Sequence, residues 1–182
     1  MAARRDAMPD VDGHAAPWRI GVARPADALR LAAAGLRCRP PADLPRDAER
    51  WRARLADAAC LTLLAEAASG RVLAVLEASS AADEAEVVDI VVTPDGRRQG
   101  IARSLLSRLR CELGARGIGR LFLEVAVDNE AALALYKAEG FTAVATRRGY
   151  YARTGGAPVD ALVMRLDLGG GRAGPPPAMN GE

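Results

Sequence analysis

Histidine is almost absent from this 182-residue chain, which contains only His14. A Ser-His-Asp triad and a Cys-His pair both need a positioned imidazole, and zinc sites usually combine Cys with His at close spacing. The three cysteines, Cys38, Cys60 and Cys111, are far apart in the sequence. We therefore expect no metal site and no histidine-based catalysis, so proton transfer falls to carboxylates, tyrosine, lysine or cysteine.

An excess of charge of one sign is also missing, because 25 basic residues face 23 acidic ones. This balance lacks the basic footprint of a nucleic-acid-binding protein. No apolar run approaches the roughly 18 residues of a membrane-spanning helix, and no apolar segment follows Arg4 and Arg5 as in a signal peptide. Isolated cysteines fit a reducing compartment. These features predict a cytoplasmic protein without nucleic-acid or membrane partners.

The composition predicts one domain between two irregular ends. Half of the residues are hydrophobic, which is enough for a substantial core. Residues 1–16 are small and polar and predict a flexible arm. Residues 169–182 contain a triple glycine and a triple proline and predict a disordered tail. The folded domain is therefore expected over residues 17–168.

Hydrophobic periodicity predicts an α/β (α+β) fold with a mixed element order. The predicted strands cover residues 18–23, 60–67, 71–79, 86–93, 120–127, 141–146 and 159–168, and the predicted helices cover residues 26–38, 47–57, 99–116 and 130–139. Ser69-Gly70 indicates a hairpin between the second and third strands. The helix over 99–116 has its leucines and isoleucine on one face. The strand over 120–127 is nearly continuously apolar, as expected for a strand covered on both faces.

An arginine-rich turn, residues 97–102, precedes the longest predicted helix. A helix N-terminus offers free N–H groups and partial positive charge, and Gly100 would allow close approach of a pyrophosphate. Seven arginines and one acid occupy residues 97–120, whereas residues 72–96 hold six acids and no basic residue. The turn therefore predicts an anion site, and an ordinary strand-to-helix turn with solvated arginines remains an equal alternative.

Two carboxylates interrupt predicted buried strands. Strand alternation places Glu124 on the same face as Phe122 and Ala126. A buried carboxylate is costly unless it is paired or its pKa rises, and a pKa raised toward neutrality suits a general base. A salt-bridged or solvent-facing Glu124 is the structural alternative, and this segment alone favours it. Asp89 raises the same question and is a second candidate base.

Tyr136 and Asn129 are predicted to lie on the same face of the short helix over 130–139. Asp128 or Asn129 would cap this helix, and Tyr136 follows Asn129 by seven residues, about two turns. A half-buried packing tyrosine is the interpretation that this spacing favours. The functional alternative is a phenol that donates a proton to a leaving group.

In combination these segments resemble the GNAT N-acetyltransferases over residues 84–168. The similarity lies in Thr93-Pro94-Asp95, the turn Arg97 to Ala102, Leu123-Glu124-Val125, Asn129, Leu135-Tyr136 and Gly140-Phe141. Within the family, the bacterial ribosomal-protein-alanine N-acetyltransferases are more similar, through Arg147-Arg148-Gly149-Tyr150-Tyr151, Asp160-Ala161 and Met164. The resemblance implies the GNAT fold, a mixed sheet of about seven strands flanked by about four helices.

The resemblance also implies roles for individual residues. Glu124 would be the general base and Tyr136 the general acid in direct acetyl transfer, without an acyl-enzyme, from acetyl-CoA to a protein N-terminal α-amine. The acceptor would be alanine on a ribosomal protein. Acetyl-CoA would be bound by Ile90, Val91, Val92, Arg97, Arg98, Gln99, Gly100, Ile101, Ala102, Arg103 and Asn129. Tyr150 and Tyr151 would line the entry loop of the acceptor peptide.

The resemblance does not extend to the region upstream. Where the family carries a Pro-Trp pair near the acceptor, this chain has Arg39 to Pro45, and Trp51 follows inside a predicted helix. Acetylation of a small-molecule amine therefore stays an alternative. A non-enzymatic acyl-CoA-binding sensor or interaction module is a third interpretation, against which the presence of both Glu124 and Tyr136 argues.

Overall fold

A computed structural model describes residues 17–34, 36, 47–153 and 155–169 of the chain. The predicted arm over residues 1–16, nearly all of the predicted tail, Cys38 and the proline-rich segment Arg39 to Pro45 lie outside the described residues. The account of the fold below concerns the described ranges alone.

One mixed sheet of seven strands organises the described residues, in the order β1-β2-β3-β4-β5-β7-β6. The strands are β1 (Trp18–Val22), β2 (Cys60–Ala67), β3 (Val72–Ala81), β4 (Glu84–Val92), β5 (Arg120–Ala126), β6 (Thr142–Tyr151) and β7 (Val159–Asp167). The α-helices are α1 (Ala28–Ala33), α2 (Ala48–Ala56), α3 (Ile101–Ala115) and α4 (Glu130–Ala138). Only β4 and β5 pair in parallel, and all other neighbours are antiparallel. The predicted fold class is confirmed.

Both faces of the sheet carry helices. On one face α3 buries Ile101, Leu105, Leu109 and Leu113 against the sheet, which confirms the predicted apolar face of this helix. On the other face α1 and α2 cover the first strands, where Trp51 is almost fully buried. Each face therefore has its own apolar core.

Two predicted elements have wrong boundaries. The helix predicted over 26–38 begins with a 3-10 turn, Pro25–Asp27, in which the Arg24 N–H donates to Asp27 Oδ2 at 3.0 Å, and its α-helical part ends at Ala33. The sixth strand continues to Tyr151 instead of ending at Thr146. Gly149, at a φ of 60°, lies in a bulge whose N–H donates to Asp160 Oδ1 at 2.8 Å, so the glycine bends the strand without ending it.

The separation of β4 from β5 positions the candidate site. Their parallel ladder joins Glu84–Val87 only to Arg120–Leu123. Beyond it, β4 continues beside β3 and β5 continues beside β7. Phe122 and Glu124 remain partly exposed, so the expectation that β5 is covered on both faces is wrong. The two open strand edges leave a groove between them.

Candidate active site

A groove of about 680 Å³ opens where β4 and β5 separate. Its walls come from these two strands, the start of α3 and one face of α4. The sequence-predicted site residues that line it are Glu124, Tyr136, Ile90, Val91, Val92, Arg97, Ala102, Asn129, Tyr150 and Tyr151. The groove thus brings together all three candidates for proton transfer, because Asp89 lines it as well. The other predicted turn residues, Arg98, Gln99, Gly100, Ile101 and Arg103, are not among its lining residues.

The turn into α3 leaves the helix N-terminus open. Gly100 is the N-cap at a φ of 74°, and a Cβ built on it would meet no atom within 4 Å. No side chain caps the helix, and its first turn carries no acidic residue. The first N–H groups of α3 are therefore available to an anion. Gln99 Nε2 donates to the Asp95 carbonyl oxygen at 2.6 Å and so braces the turn.

Arg103 has a structural contact in addition to its predicted role. Its Nε lies 2.9 Å from Glu139 Oε1, at the end of α4, and Arg110 Nη1 lies 3.9 Å from Glu139 Oε2. These ion pairs join α3 to α4, the two helices that flank the groove. Binding of phosphate by Arg103 stays a prediction.

Glu124 combines burial with polar contacts. Its side chain is only 11% exposed, and its Oε1 lies 3.0 Å from Arg147 Nη1 on β6. The same carboxylate accepts a hydrogen bond from the Tyr150 hydroxyl, which raises the pKa of Tyr150. The Tyr151 hydroxyl donates to the Glu124 backbone carbonyl at 3.3 Å. The salt bridge that the sequence allowed is therefore present, and the paired carboxylate also faces the groove.

Tyr136 keeps its proton. The ring lies on α4 and meets Phe141 edge-on at a centroid distance of 5.8 Å. Burial raises the pKa of its hydroxyl well above the ordinary value, and the nearby Asp89 and Tyr151 raise it further. The raised pKa keeps the phenol neutral at physiological pH, and Tyr136 lines the groove. Asn129 caps the same helix by accepting from the Ala132 N–H at 3.3 Å.

Tyr150 and Tyr151 lie at the end of strand β6 and line the groove, and their predicted contact with the acceptor peptide stays a prediction. Their rings meet edge-on at 5.2 Å, and Arg147 and Arg153 lie over the Tyr150 and Tyr151 rings at 5.3 and 6.0 Å. Burial, followed by the charge of Glu124, raises the pKa of Tyr151 to about 12. Both tyrosines are thus ordered beside the candidate base.

Sequence reasoning missed two charged residues of the site. Arg147 appeared only as part of a family motif, yet its guanidinium contacts Glu124. Glu86 lies opposite Phe122 in the β4–β5 ladder. Burial and then the charge of Glu124 raise the pKa of Glu86, while Arg147 opposes the rise. The only available signal was that Glu86 begins the same predicted strand as the candidate base Asp89.

The two described cysteines do not form a nucleophilic site. Cys60 Sγ donates to Asp57 Oδ2 at 3.6 Å, and burial followed by Asp57 raises the pKa of the thiol. Cys111 is exposed on α3. In the described part of the chain, no group of three His, Cys, Asp or Glu side chains could hold a metal ion. No helix there is long and apolar enough to cross a membrane.

Sequence comparison places the groove within a family. The profile of the acetyltransferase (GNAT) family matches residues 29–141. The [Ribosomal protein bS18]-alanine N-acetyltransferase of Escherichia coli (strain K12) is 46% identical over 86 residues, which cover 47% of this chain and 57% of that protein. N-alpha-acetyltransferase RimI of Mycobacterium tuberculosis is 50% identical over 86 residues, 47% of this chain and 51% of that protein. The chain thus spans about half the length of the curated relatives it matches.

Structural comparison extends the similarity over most of the chain. The crystal structure of the ribosomal-protein-S18-alanine N-acetyltransferase from Escherichia coli superposes with a TM-score of 0.71 at 33% identity, covering 87% of this chain and 97% of that one. Spermidine N-acetyltransferase from Vibrio cholerae, in complex with CoA and spermine, has a TM-score of 0.70 at 18% identity, with coverage of 85% and 97%. The second similarity shows the fold alone.

Proposed function

This chain belongs to the acetyltransferase (GNAT) family, and on that premise we propose that it acetylates the N-terminal α-amine of a protein, with acetyl-CoA as donor. The acceptor would be an N-terminal alanine of a ribosomal protein, as the names of the relatives suggest. Such an acceptor implies a cytoplasmic location. The observation that carries the proposal is that Glu124 and Tyr136, on two different elements, line one groove.

The groove fits acetyl-CoA, which when bound supplies an activated thioester carbon. The edge of β4 beyond Val87 has no ladder to β5, so its backbone groups are open to an extended pantetheine arm along Ile90–Val92. The uncapped N-terminus of α3 and Arg97 are suited to the phosphates. Gly100 adds no side chain to block their approach.

Glu124 would take the proton that the acceptor amine must lose. An α-amine has a reference pKa of about 7.7–8.0, against about 10.4 for lysine, so its deprotonation at neutral pH costs only about 1 kcal/mol. A modest base, acting directly or through water, is enough for this step. The freed amine forms the new C–N bond as the C–S bond breaks. Backbone N–H groups near Val92 are the expected donors to the carbonyl oxygen.

Tyr136 would supply the proton that the departing sulfur gains. Its raised pKa keeps the hydroxyl protonated before the reaction, and its position on the groove wall allows it to face the sulfur. Forming the amide from a protonated amine removes two protons from the nitrogen: Glu124 takes one before the attack, and the other passes to solvent as the C–S bond breaks. Tyr136 gives its proton to the sulfur and regains one from solvent, and Glu124 passes its proton to solvent, so the reaction releases one proton overall. No covalent enzyme intermediate is needed, consistent with the protonated state of the Cys60 thiol.

Direct assay separates this proposal from its alternatives. The purified chain is incubated with acetyl-CoA and a peptide with N-terminal alanine, and acetylation is read by intact mass and thiol release. Both peptides carry an internal lysine, and the matched control differs only in its formylated N-terminus. Acetylation of the free peptide alone supports the proposal. Turnover confined to a panel of small amines would replace it with small-molecule acetylation, and coenzyme A binding without turnover would indicate a binding module.

A further inference from the structure

A second cavity, of about 330 Å³, opens on the face of the sheet opposite α3. Its lining includes Ser79 and Ser80 on β3, Glu86 on β4, Phe122 and Glu124 on β5, and Arg147 on β6. Glu86 and Phe122 are partners in the β4–β5 ladder, whereas their neighbours Ala85 and Leu121 are buried in the core with α3. We call this cavity the Glu86 pocket.

The Glu86 pocket and the groove meet at the candidate base. Glu86, Leu123 and Glu124 line both cavities. A molecule in the Glu86 pocket and another in the groove would therefore approach the same carboxylate from two directions. The groove carries the features suited to the anionic donor, so the Glu86 pocket is the second entrance to the reaction centre.

The charges of the pocket suit a cation. Two carboxylates, Glu86 and Glu124, are close enough for the charge of one to oppose ionisation of the other. The guanidinium of Arg147 lies 3.0 Å from Glu124 and over the face of the Tyr150 ring at 5.3 Å. Carboxylate oxygens bind ammonium as well as guanidinium ions, and the Tyr150 ring beneath Arg147 belongs to the adjoining groove. The Arg147 side chain is 56% exposed, so it can move away into solvent.

We propose that the Glu86 pocket binds the protonated amine of the acceptor, with Glu86 as a specificity-determining residue and Arg147 as the internal cation that this amine displaces. The proposal rests on the proposed function, because it assigns the acceptor side of the same site. The Arg147 guanidinium occupies the space beside Glu124 Oε1, at 3.0 Å, so an amine reaches that oxygen only when the guanidinium moves. Displacement of Arg147 would bring the amine to Glu124 and free that carboxylate in one step, while Glu86 holds the amine in place.

The test measures binding and needs no turnover. Two alanine peptides are titrated calorimetrically into the chain with coenzyme A present, at about pH 6, where an α-amine is protonated. One peptide has a dimethylated N-terminus, which is cationic and forms no stable amide, and the other has a formylated, neutral N-terminus. We expect the cationic peptide to bind about tenfold more tightly, as for a charge-assisted hydrogen bond. Equal binding of the two peptides would overturn the proposal.

Matched variants assign the effect to named residues. Glu86→Gln should reduce the tenfold preference to about twofold, whereas Glu112→Gln, which removes a surface acid paired with Arg108 on α3, should preserve it. Arg147→Gln should tighten binding of the cationic peptide about threefold or more without affecting the neutral one, and Arg148→Gln should not. A preference that survives Glu86→Gln, or cationic binding that Arg147→Gln leaves unchanged or weakens, would contradict the assignment.

These outcomes separate the two proposals. If the alanine peptide is acetylated but both peptides bind equally, the pocket assignment fails and the proposed function stands. If no peptide is acetylated or bound while small amines turn over, the proposed function itself fails.

Discussion

Removal of the Arg54 guanidinium, on α2, tests how the protein stabilises a buried carboxylate in the sheet, that of Glu77. Glu77, in the middle of β3, is completely buried, and its Oε1 accepts a hydrogen bond from Nε of Arg54. Within the described residues its Oε2 has no hydrogen-bond partner. Glu77 also lies opposite Asp89 in the β3–β4 ladder, next to the groove. The ion pair therefore holds a buried charge close to the candidate site.

The change Arg54→Met keeps an apolar stem and removes the charge. Removing one partner of a buried ion pair costs about 3–5 kcal/mol, a large share of a typical unfolding free energy of about 5–15 kcal/mol. Because the Arg54 side chain is 37% exposed, solvent can partly replace it. We therefore expect a loss of about 3 kcal/mol in the free energy of unfolding at neutral pH.

The loss should depend on pH in a direction set by Glu77. Burial raises the pKa of Glu77 above its ordinary value, while Arg54 acts to lower it, so the variant should raise it further. The folded protein then binds the Glu77 proton more tightly than the unfolded chain does. The destabilisation is consequently full above the raised pKa and diminishes as the pH falls toward the unfolded value of 4.5.

Urea unfolding, followed by the fluorescence of the buried Trp18 and Trp51, measures this loss at about pH 5 and about pH 8. Adding Glu77→Gln to Arg54→Met should recover much of the stability at the higher pH, because the amide is neutral. The control Arg50→Met, on an exposed turn of the same helix, should cost less than about 0.5 kcal/mol. A loss below about 1 kcal/mol at both pH values would refute the reasoning.

Three further changes address the site. Glu124→Gln should lower kcat about 100-fold or more with little effect on the KM for acetyl-CoA; an unaltered pH–rate profile would remove Glu124 from the role of base. Tyr136→Phe keeps the ring contact with Phe141, so it should slow turnover at unchanged coenzyme A affinity, and full activity would contradict the acid role. Gly100→Ala places a side chain at a φ of 74° and should cost about 1 kcal/mol in thermal unfolding while weakening coenzyme A binding. The control Gly114→Ala, in open space within α3, should do neither.

Local patterns were sufficient to predict most elements of the fold. The apolar face of α3 was predicted from the helical spacing of its apolar residues, which the structure buries against the sheet. The β2–β3 hairpin was predicted from Ser69-Gly70, and Gly70 adopts a φ of 81° in the turn. Asn129 was one of two predicted caps for α4, and its side chain does cap that helix. In each case the physical cause lies within a few residues of the sequence signal.

The arrangement of the site was harder to predict because it depends on contacts between distant residues. The sixth strand is predicted to end at Thr146, but the pairing of β6 with β7 extends it to Tyr151 through a bulge. That extension places Arg147 and Tyr150 against Glu124, which is more than twenty residues away in sequence. Neither residue alone carries a signal for this contact.

The structure also shows that a salt bridge at Glu124 need not conflict with a role as general base. From the sequence, a salt-bridged carboxylate and a general base were alternatives, and the segment alone favoured the salt bridge. The partner proves to be Arg147, whose exposed side chain can leave the carboxylate, whereas a partner locked in the core could not. A carboxylate with a displaceable cation is held in one orientation before the acceptor binds, and the acceptor amine would then replace the cation. The salt bridge is thus compatible with the proposed role as a base.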